Sequence, residues 1–584
     1  LNILRFGLPC LLVMAPAFGA GKRAFSIADL YRLRNVAHPA LSPDGTRVAF
    51  EVSSQDLAKS TRATHLWMAD LRTGEVRQLT FTGTYDGEPH WSADGRSLAF
   101  LSSREEGIQL WTLDLAGGEP RKTTSFGPGV GLPHLLKDGK TVVFQANVFP
   151  EAMADGARNL ELAEKLEKGP VQAHWADSLL FRHWTDYRDF QYSHLFTQAG
   201  PDGPVTALTS GKNDFPAFQQ TFDVSPDGKE VCVTASTDPN PARSTNMDLF
   251  LISLEGDRTP VRITGANPAF DGAPAYSPDG RYIAYKFQRT PGFESDRAHL
   301  GVYDRQTRAF LDPTAAFDNP VDLYQWSPDG KVLWFTIQEK GHHPLYRVDL
   351  PGGKPQRMLD GQTIRDFVVA PGGASIVFSR DTVGEPSELW RCTFPGKELK
   401  KLTGFNDAVA AEVDIRPVEE MWVKGADGAE VQVFIVKPHD FDPSRKYPLI
   451  LNVHGGPQMM WADTFRGDWQ VYPGAGYVVA FPNPHGSVGY GQAFTDAISK
   501  DWDGKVMTDI SKVTDALAAL PYVDSGRMGA MGWSWGGYAM MWLEGHTTRY
   551  KALAAMMGVY DLPAMHGATE ELWFPEWDIG GTPT

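Results

Sequence analysis

The sequence predicts a seven-bladed β-propeller followed by a mostly parallel α/β sheet. Three observations carry the prediction. A turn-and-strand motif recurs seven times, a second strand motif follows each copy, and after about Glu412 the pattern changes to apolar strands alternating with amphipathic helices.

The first motif reads LSPDGTRVAF from Leu41, WSADGRSLAF from Trp91, LLKDGKTVVF from Leu135, VSPDGKEVCV from Val224, YSPDGRYIAY from Tyr276, WSPDGKVLWF from Trp326 and VAPGGASIVF from Val369. Pro, Asp and Gly make a tight turn, and the apolar run behind it is a strand entering a hairpin. A partner strand follows each copy, as in HLWMADL from His65, DLFLISL from Asp248 and ELWRCTF from Glu388. Most partners lead through a Gly-containing turn to a polar closing strand. Each unit thus holds about four strands in roughly 45–50 residues, the pattern of a propeller blade. A single blade cannot cover both of its own faces, so the blades close into a ring. A stack of β-sandwiches would not require seven matched turns. The propeller is expected over residues 21–410, with an insertion at about 150–190 that is partly helical and rich in Glu, Trp and Arg. Cys232 and Cys392 fall in strands of non-adjacent blades and are expected to be buried free thiols.

The 584 residues carry a formal charge of −16 and no basic run, which argues against nucleic acid as a partner. No zinc spacing, EF-hand loop, P-loop or dinucleotide fingerprint is present, so no metal and no cofactor is expected. Residues 1–20, LNILRFGLPCLLVMAPAFGA, place Arg5 before a short apolar stretch ending in small residues. This reads as a signal peptide and implies a periplasmic or secreted protein, with no membrane span elsewhere.

The second domain is expected over residues 411–584. KYPLILNVHGGP reads as a buried strand running into the loop His454-Gly455-Gly456-Pro457, and DGKVMTDISKVTDALAAL as an amphipathic helix. In MGAMGWSWGGYAMMWL an apolar strand breaks at Gly532-Trp533-Ser534-Trp535-Gly536-Gly537 and resumes as a helix. A strand turning sharply into a helix crowds the two backbones, and glycines relieve that crowding. Ser534 is thereby expected on a strained elbow at a helix N-terminus, as the nucleophile of an α/β-hydrolase domain. Acyl transfer also needs donors aimed at the oxyanion. The backbone amides of Trp535 and, from the HGGP loop, Gly455 are the candidates.

VHGGP, NPHGSVGYGQAFTDAISKDW, GWSWGGYAM and TEELWFPEWDIGGTP together resemble the prolyl oligopeptidase family of serine peptidases, within it the acylaminoacyl-peptidase branch, over essentially everything after the leader. The resemblance implies Ser534 as nucleophile, Trp535 and the HGGP loop as oxyanion hole, and short peptides threaded between propeller and hydrolase domain, with N-terminal dipeptides released. His454 and Gly456 belong to the loop around the substrate. A dipeptidyl reading needs a carboxylate for the substrate's ammonium. Glu570 and Glu571 are preferred over Glu151, Glu161 and Glu164 of the insertion, because they follow the elbow strand closely.

In this fold the acid and histidine of the triad follow the serine. His546, His566 and Asp561 are not well placed for those roles and are expected to be structural. The hydrolase domain is therefore expected to be incomplete at its C-terminus, with the catalytic Asp and His beyond Thr584 and the chain as given nearly inactive. Three alternatives share much of the pattern: an acylaminoacyl-peptidase, an esterase of the same fold, and a binding propeller with no enzymatic role. The last leaves the elbow and the HGGP loop unexplained.

Overall fold

The computed structural model describes residues 21–583, and the expected leader lies outside them. Seven four-stranded antiparallel sheets follow one another over residues 35–78, 86–122, 131–207, 222–262, 271–311, 321–359 and 364–401. The recurrent turn is the entry to the second strand of each. In the first, Ser42 accepts at its carbonyl from Gly45 and donates its hydroxyl to Asp44 at 2.6 Å, and Gly45 takes φ +67°, where a side chain is disfavoured. The turn in the sixth blade repeats this with Ser327, Asp329 and Gly330 at φ +69°.

Among the described residues no strand is exchanged between the first and last blades. The ring closes by packing: Val36, Val48, Phe50, Val52 and Ala69 of the first share a core with Val377 and Leu389 of the last. Ser387 Oγ adds a hydrogen bond to the Val36 carbonyl at 2.6 Å. Full burial of a Val, Leu or Phe side chain is worth about 1.5–3 kcal/mol, so closure rests mainly on the apolar contact. Cys232 and Cys392 are buried free thiols in the fourth and seventh blades.

The second domain contains one six-stranded sheet, β1 (Val418–Lys424), β2 (Glu430–Val436), β3 (Tyr447–Val453), β4 (Val478–Asn483), β5 (Val523–Trp533) and β6 (Ala552–Met556), in the order β1-β2-β4-β3-β5-β6. The pairs β3/β4, β3/β5 and β5/β6 are parallel, and those made by β2 are antiparallel. Helix α1 (Lys505–Ala518) buries Val506, Ile510, Val513 and Leu517, one face at helical spacing. Helix α2 (Trp535–His546) follows the elbow, and α3 (Leu562–Ala568) and α4 (Trp573–Ile579) end the described chain.

One boundary differs from the sequence reading, which placed residues 21–34 with the propeller. Arg23–Ala24 pairs in parallel with Val413–Asp414, and Phe25 is buried with Val409 and Val413 against Phe465 and Val471. Arg23 reaches Asp29 at 2.6 Å and Glu412 at 2.8 Å. The Phe25 ring is buried against the linker and the second domain, so the segment straps the linker instead of opening the propeller. Further ties join the two domains: Asp463 N–H donates to the Gly341 carbonyl and its carboxylate accepts from Val383 N–H, each at 2.8 Å.

The insertion lies between the second and third strands of the third blade. Its helix, Gly156–Lys168, is capped by Asp155, which accepts from Arg158 N–H at 2.9 Å. A short hairpin, Arg182–His183 with Asp186–Tyr187, then turns back toward the second domain.

Candidate active site

Ser534 sits at φ +57°, ψ −118°, between the end of β5 and the first residue of α2. A non-glycine residue with positive φ is strained, and such strain persists only where the surroundings dictate it. The dictating contacts are close. A Cβ on Gly532 would lie 2.3 Å from the Gly536 carbonyl oxygen, one on Gly536 2.3 Å from the Val453 oxygen, and one on Gly537 2.7 Å from Gly558 Cα. All three are backbone obstacles, so β3, β5 and α2 converge only because these positions lack side chains. Ser534 N–H is tied to the Met556 carbonyl on β6 at 2.9 Å. The residue is half-buried, and among the described residues its hydroxyl has no hydrogen-bond partner.

The HGGP loop leaves β3 directly beside the elbow. A Cβ on Gly455 would meet the Trp533 oxygen at 2.6 Å and Ser534 Cβ at 3.1 Å. Gly456 takes φ +114° and stands exposed. The Trp535 side chain is fully buried, while its amide lies in the first turn of α2, where no helical carbonyl is available to it. Amides and the positive end of the helix dipole thus gather at one corner with the serine hydroxyl.

His454, which the sequence reading placed in the loop around the substrate, is turned inward. It is 1% exposed, its Nε2 meets Ser487 Oγ at 2.9 Å and its Nδ1 meets the Gly455 carbonyl at 2.8 Å. Burial holds it down to about 4, so the ring is neutral at physiological pH and braces the loop. Three more histidines of this domain are also occupied. His485 pairs with buried Asp509 at 2.6 Å, His546 stacks on Trp542, and His566 faces Glu576 at 3.3 Å. Asp561 caps α3, and His566 lies inside that helix. Among the described residues no histidine or carboxylate bonds to Ser534 Oγ.

Beside the second domain a chamber of about 710 Å³ is lined by both domains, including Arg182, His183 and Phe218 from the propeller and its insertion, and Glu571 and Trp573 from the second domain. The two acidic residues preferred from sequence separate here. Glu570 is 2% exposed, accepts from Trp184 N–H at 2.5 Å and pairs with Arg182 at 3.1 Å, so it docks the insertion hairpin and is closed to ligands. Glu571 faces the chamber, with His183 Nδ1 at 3.0 Å. Burial, with Glu294 and Glu570 nearby, pushes its carboxyl up to about 7. Glu151, Glu161 and Glu164 are exposed, the last two paired with Arg158 and Lys168 on the insertion helix.

Sequence reasoning missed Glu294. It lies in the loop before the third strand of the fifth blade, accepts from Trp573 Nε1 at 2.7 Å and is open to the chamber. The protein packed around it disfavours its charged form and pushes the Glu294 carboxyl up. Nothing local marks it, because the two carboxylates meet only when the domains do.

A serine on a strained strand-to-helix elbow, with backbone amides beside it, in a domain joined to a propeller, defines a serine hydrolase. The comparisons agree with that class. Residues 463–584 match the model of the prolyl oligopeptidase family and residues 27–156 that of the TolB beta propeller domain. Dipeptidyl-peptidase 5 of Porphyromonas gingivalis is 32% identical over 97% of this chain and 84% of its own length. Dipeptidyl-peptidase 5 of Trichophyton equinum is 28% identical over 98% of this chain and 83% of its own. The solved acylaminoacyl peptidase of Pyrococcus horikoshii superposes with a TM-score of 0.79 at 18% identity, covering 96% of this chain and 83% of that one, a likeness of fold. The chain belongs to the prolyl oligopeptidase family of serine peptidases.

Proposed function

We propose that the protein releases dipeptides from the free N-termini of short peptides through an acyl-enzyme on Ser534. The hydroxyl attacks the acyl carbon, its proton passes to a base that the described residues do not supply, and the oxyanion is held by the amides of Trp535 and Gly455. The substrate's ammonium sits with Glu571 and Glu294. Desolvating an ammonium is costly unless carboxylates accept its protons, and two carboxylates raised by burial regain their charge when a cation arrives.

The observation that carries this reading is the placement of the two ends of α4. Glu571 precedes the helix and faces the chamber, and Asp578 in its last turn bonds to Gln458, next to the HGGP loop. Two turns of helix cover about 10 Å. Two extended residues span about 7 Å, and the reach of a glutamate side chain with its hydrogen bond fills the difference. The dipeptidyl-peptidase relatives point the same way. The apolar leader at 1–20 supports a location outside the cytoplasm, and among the described residues no helix is long and apolar enough to cross a membrane.

The test uses a polypeptide extended to the length of its relatives and a pair of substrates differing only in a free or acetylated N-terminus. Glu571→Gln and Glu294→Gln should each cost about 10- to 100-fold in kcat/KM on the free substrate, the worth of a hydrogen bond to a charged group. The acetylated substrate should change little. A wild-type preference for the acetylated substrate would replace this reading with the acylaminoacyl-peptidase one.

A further inference from the structure

The oxyanion loop is held from two sides. On one side, buried His454 bonds to Ser487. On the other, Gln458, which directly follows Pro457, donates its Nε2 to Asp578 Oδ1 at 2.8 Å. Ser499 Oγ approaches the same oxygen at 3.3 Å, and Lys500 N–H donates to the Asp578 carbonyl at 2.7 Å. Asp578 is 2% exposed and has no cation partner among the described residues. An ionised carboxylate in that setting is costly, and burial pushes it up to about 6. An amide or an apolar residue at this place would cost less. What the carboxylate adds is a stronger acceptor for Gln458 than any neutral group offers.

The helix that carries it cannot drift. Trp577 stacks on Phe293 of the propeller, ring centroids 4.8 Å apart, and its Nε1 donates to Ser499 at 3.2 Å. Trp573 at the other end donates to Glu294. Asp578 is therefore a fixed point, anchored partly on the propeller, from which the loop beside Ser534 is pulled into place. Loop position matters because oxyanion donors act only over the short distances of a hydrogen bond, and misplacement by about 1 Å costs on the order of 100-fold.

We infer that Asp578 is a positioning residue that sets the oxyanion loop through Gln458. The inference rests on the reading of Ser534 and Gly455 as the reaction centre, and that reading is checked separately by the loss of turnover in Ser534→Ala.

The experiment is a double-mutant cycle in the extended polypeptide, with Gln458→Ala, Asp578→Ala and the pair, on a free-amine substrate. Gln458 is half-buried at a loop, so its truncation keeps the fold even if Asp578→Ala does not. Gln458→Ala should lower kcat about 10- to 100-fold with KM within about threefold, since the interaction serves the transition state and not substrate binding. Asp578→Ala should do the same, and the pair should be no worse than the worse single variant. Asp578→Asn, which keeps an acceptor but loses the charge that strengthens it, should fall between wild type and Asp578→Ala. Wild-type kcat in Gln458→Ala would overturn the inference, as would losses that multiply in the pair.

Discussion

Replacing Glu571 by Gln should weaken the enzyme and strengthen the fold. The carboxyl is raised from 4.5 to about 7, with burial as the largest cause and Glu294 and Glu570 adding to it. In the folded state it therefore holds a proton that the unfolded chain has released, between pH 4.5 and about 7. Stability falls with rising pH wherever the folded state binds more protons, so the cost is absent below pH 4.5, accumulates through that window and is complete above pH 7. At about 1.4 kcal/mol per tenfold change in proton affinity, the upper bound is roughly 3 kcal/mol. The side chain is 21% exposed and His183 lies 3.0 Å away. Solvent screening and the lost His183 contact reduce the expected net gain to about 1–2 kcal/mol. The assay is denaturant unfolding of wild type and Glu571→Gln at pH 4 and pH 8, compared as differences at each pH. The variant should match wild type at pH 4 and be more stable at pH 8. A variant less stable at pH 8 would mean that the carboxylate is a structural partner of His183, and that no ligand charge is awaited there.

Two further outcomes follow from the same geometry. Since no histidine or carboxylate among the described residues bonds to Ser534 Oγ, residues 21–583 by themselves should turn over peptides at only the residual level that binding and an oxyanion hole provide without a base, about 10³–10⁴ over water, and full turnover by them in a peptidase assay would show that one of these histidines moves to Ser534. Gly455→Ala pushes a methyl to 2.6 Å from the Trp533 oxygen and 3.1 Å from Ser534 Cβ. Because the first obstacle is backbone, the loop must shift, and kcat should fall about 100-fold with a stability loss of about 1–3 kcal/mol by chemical denaturation.

Much of this molecule was legible in one dimension, and the legible parts share a cause. Turns, strands and the elbow are local: a Ser-Pro-Asp-Gly turn needs its residues in sequence, a blade strand shows its apolar run directly, and Gly532, Ser534, Gly536 and Gly537 crowd one corner because they are neighbours in the chain. The repeat count, the α/β alternation and the strand-to-helix elbow at Ser534 could therefore be read from the chain alone. The association of residues 21–34 with the second domain could not, because a two-residue strand and one phenylalanine carry no period. The different fates of Glu570 and Glu571, adjacent and chemically identical, were equally hidden. One turns to Trp184 and Arg182 of the insertion and is closed off; the other turns to the chamber and to Glu294, 277 positions earlier in the chain. Whether a carboxylate is a tie or a binding group depends on which charges and how much water surround it, and those are set by contacts between segments far apart in sequence. Local chemistry writes the elements into the chain, whereas electrostatic environment exists only after the domains have packed.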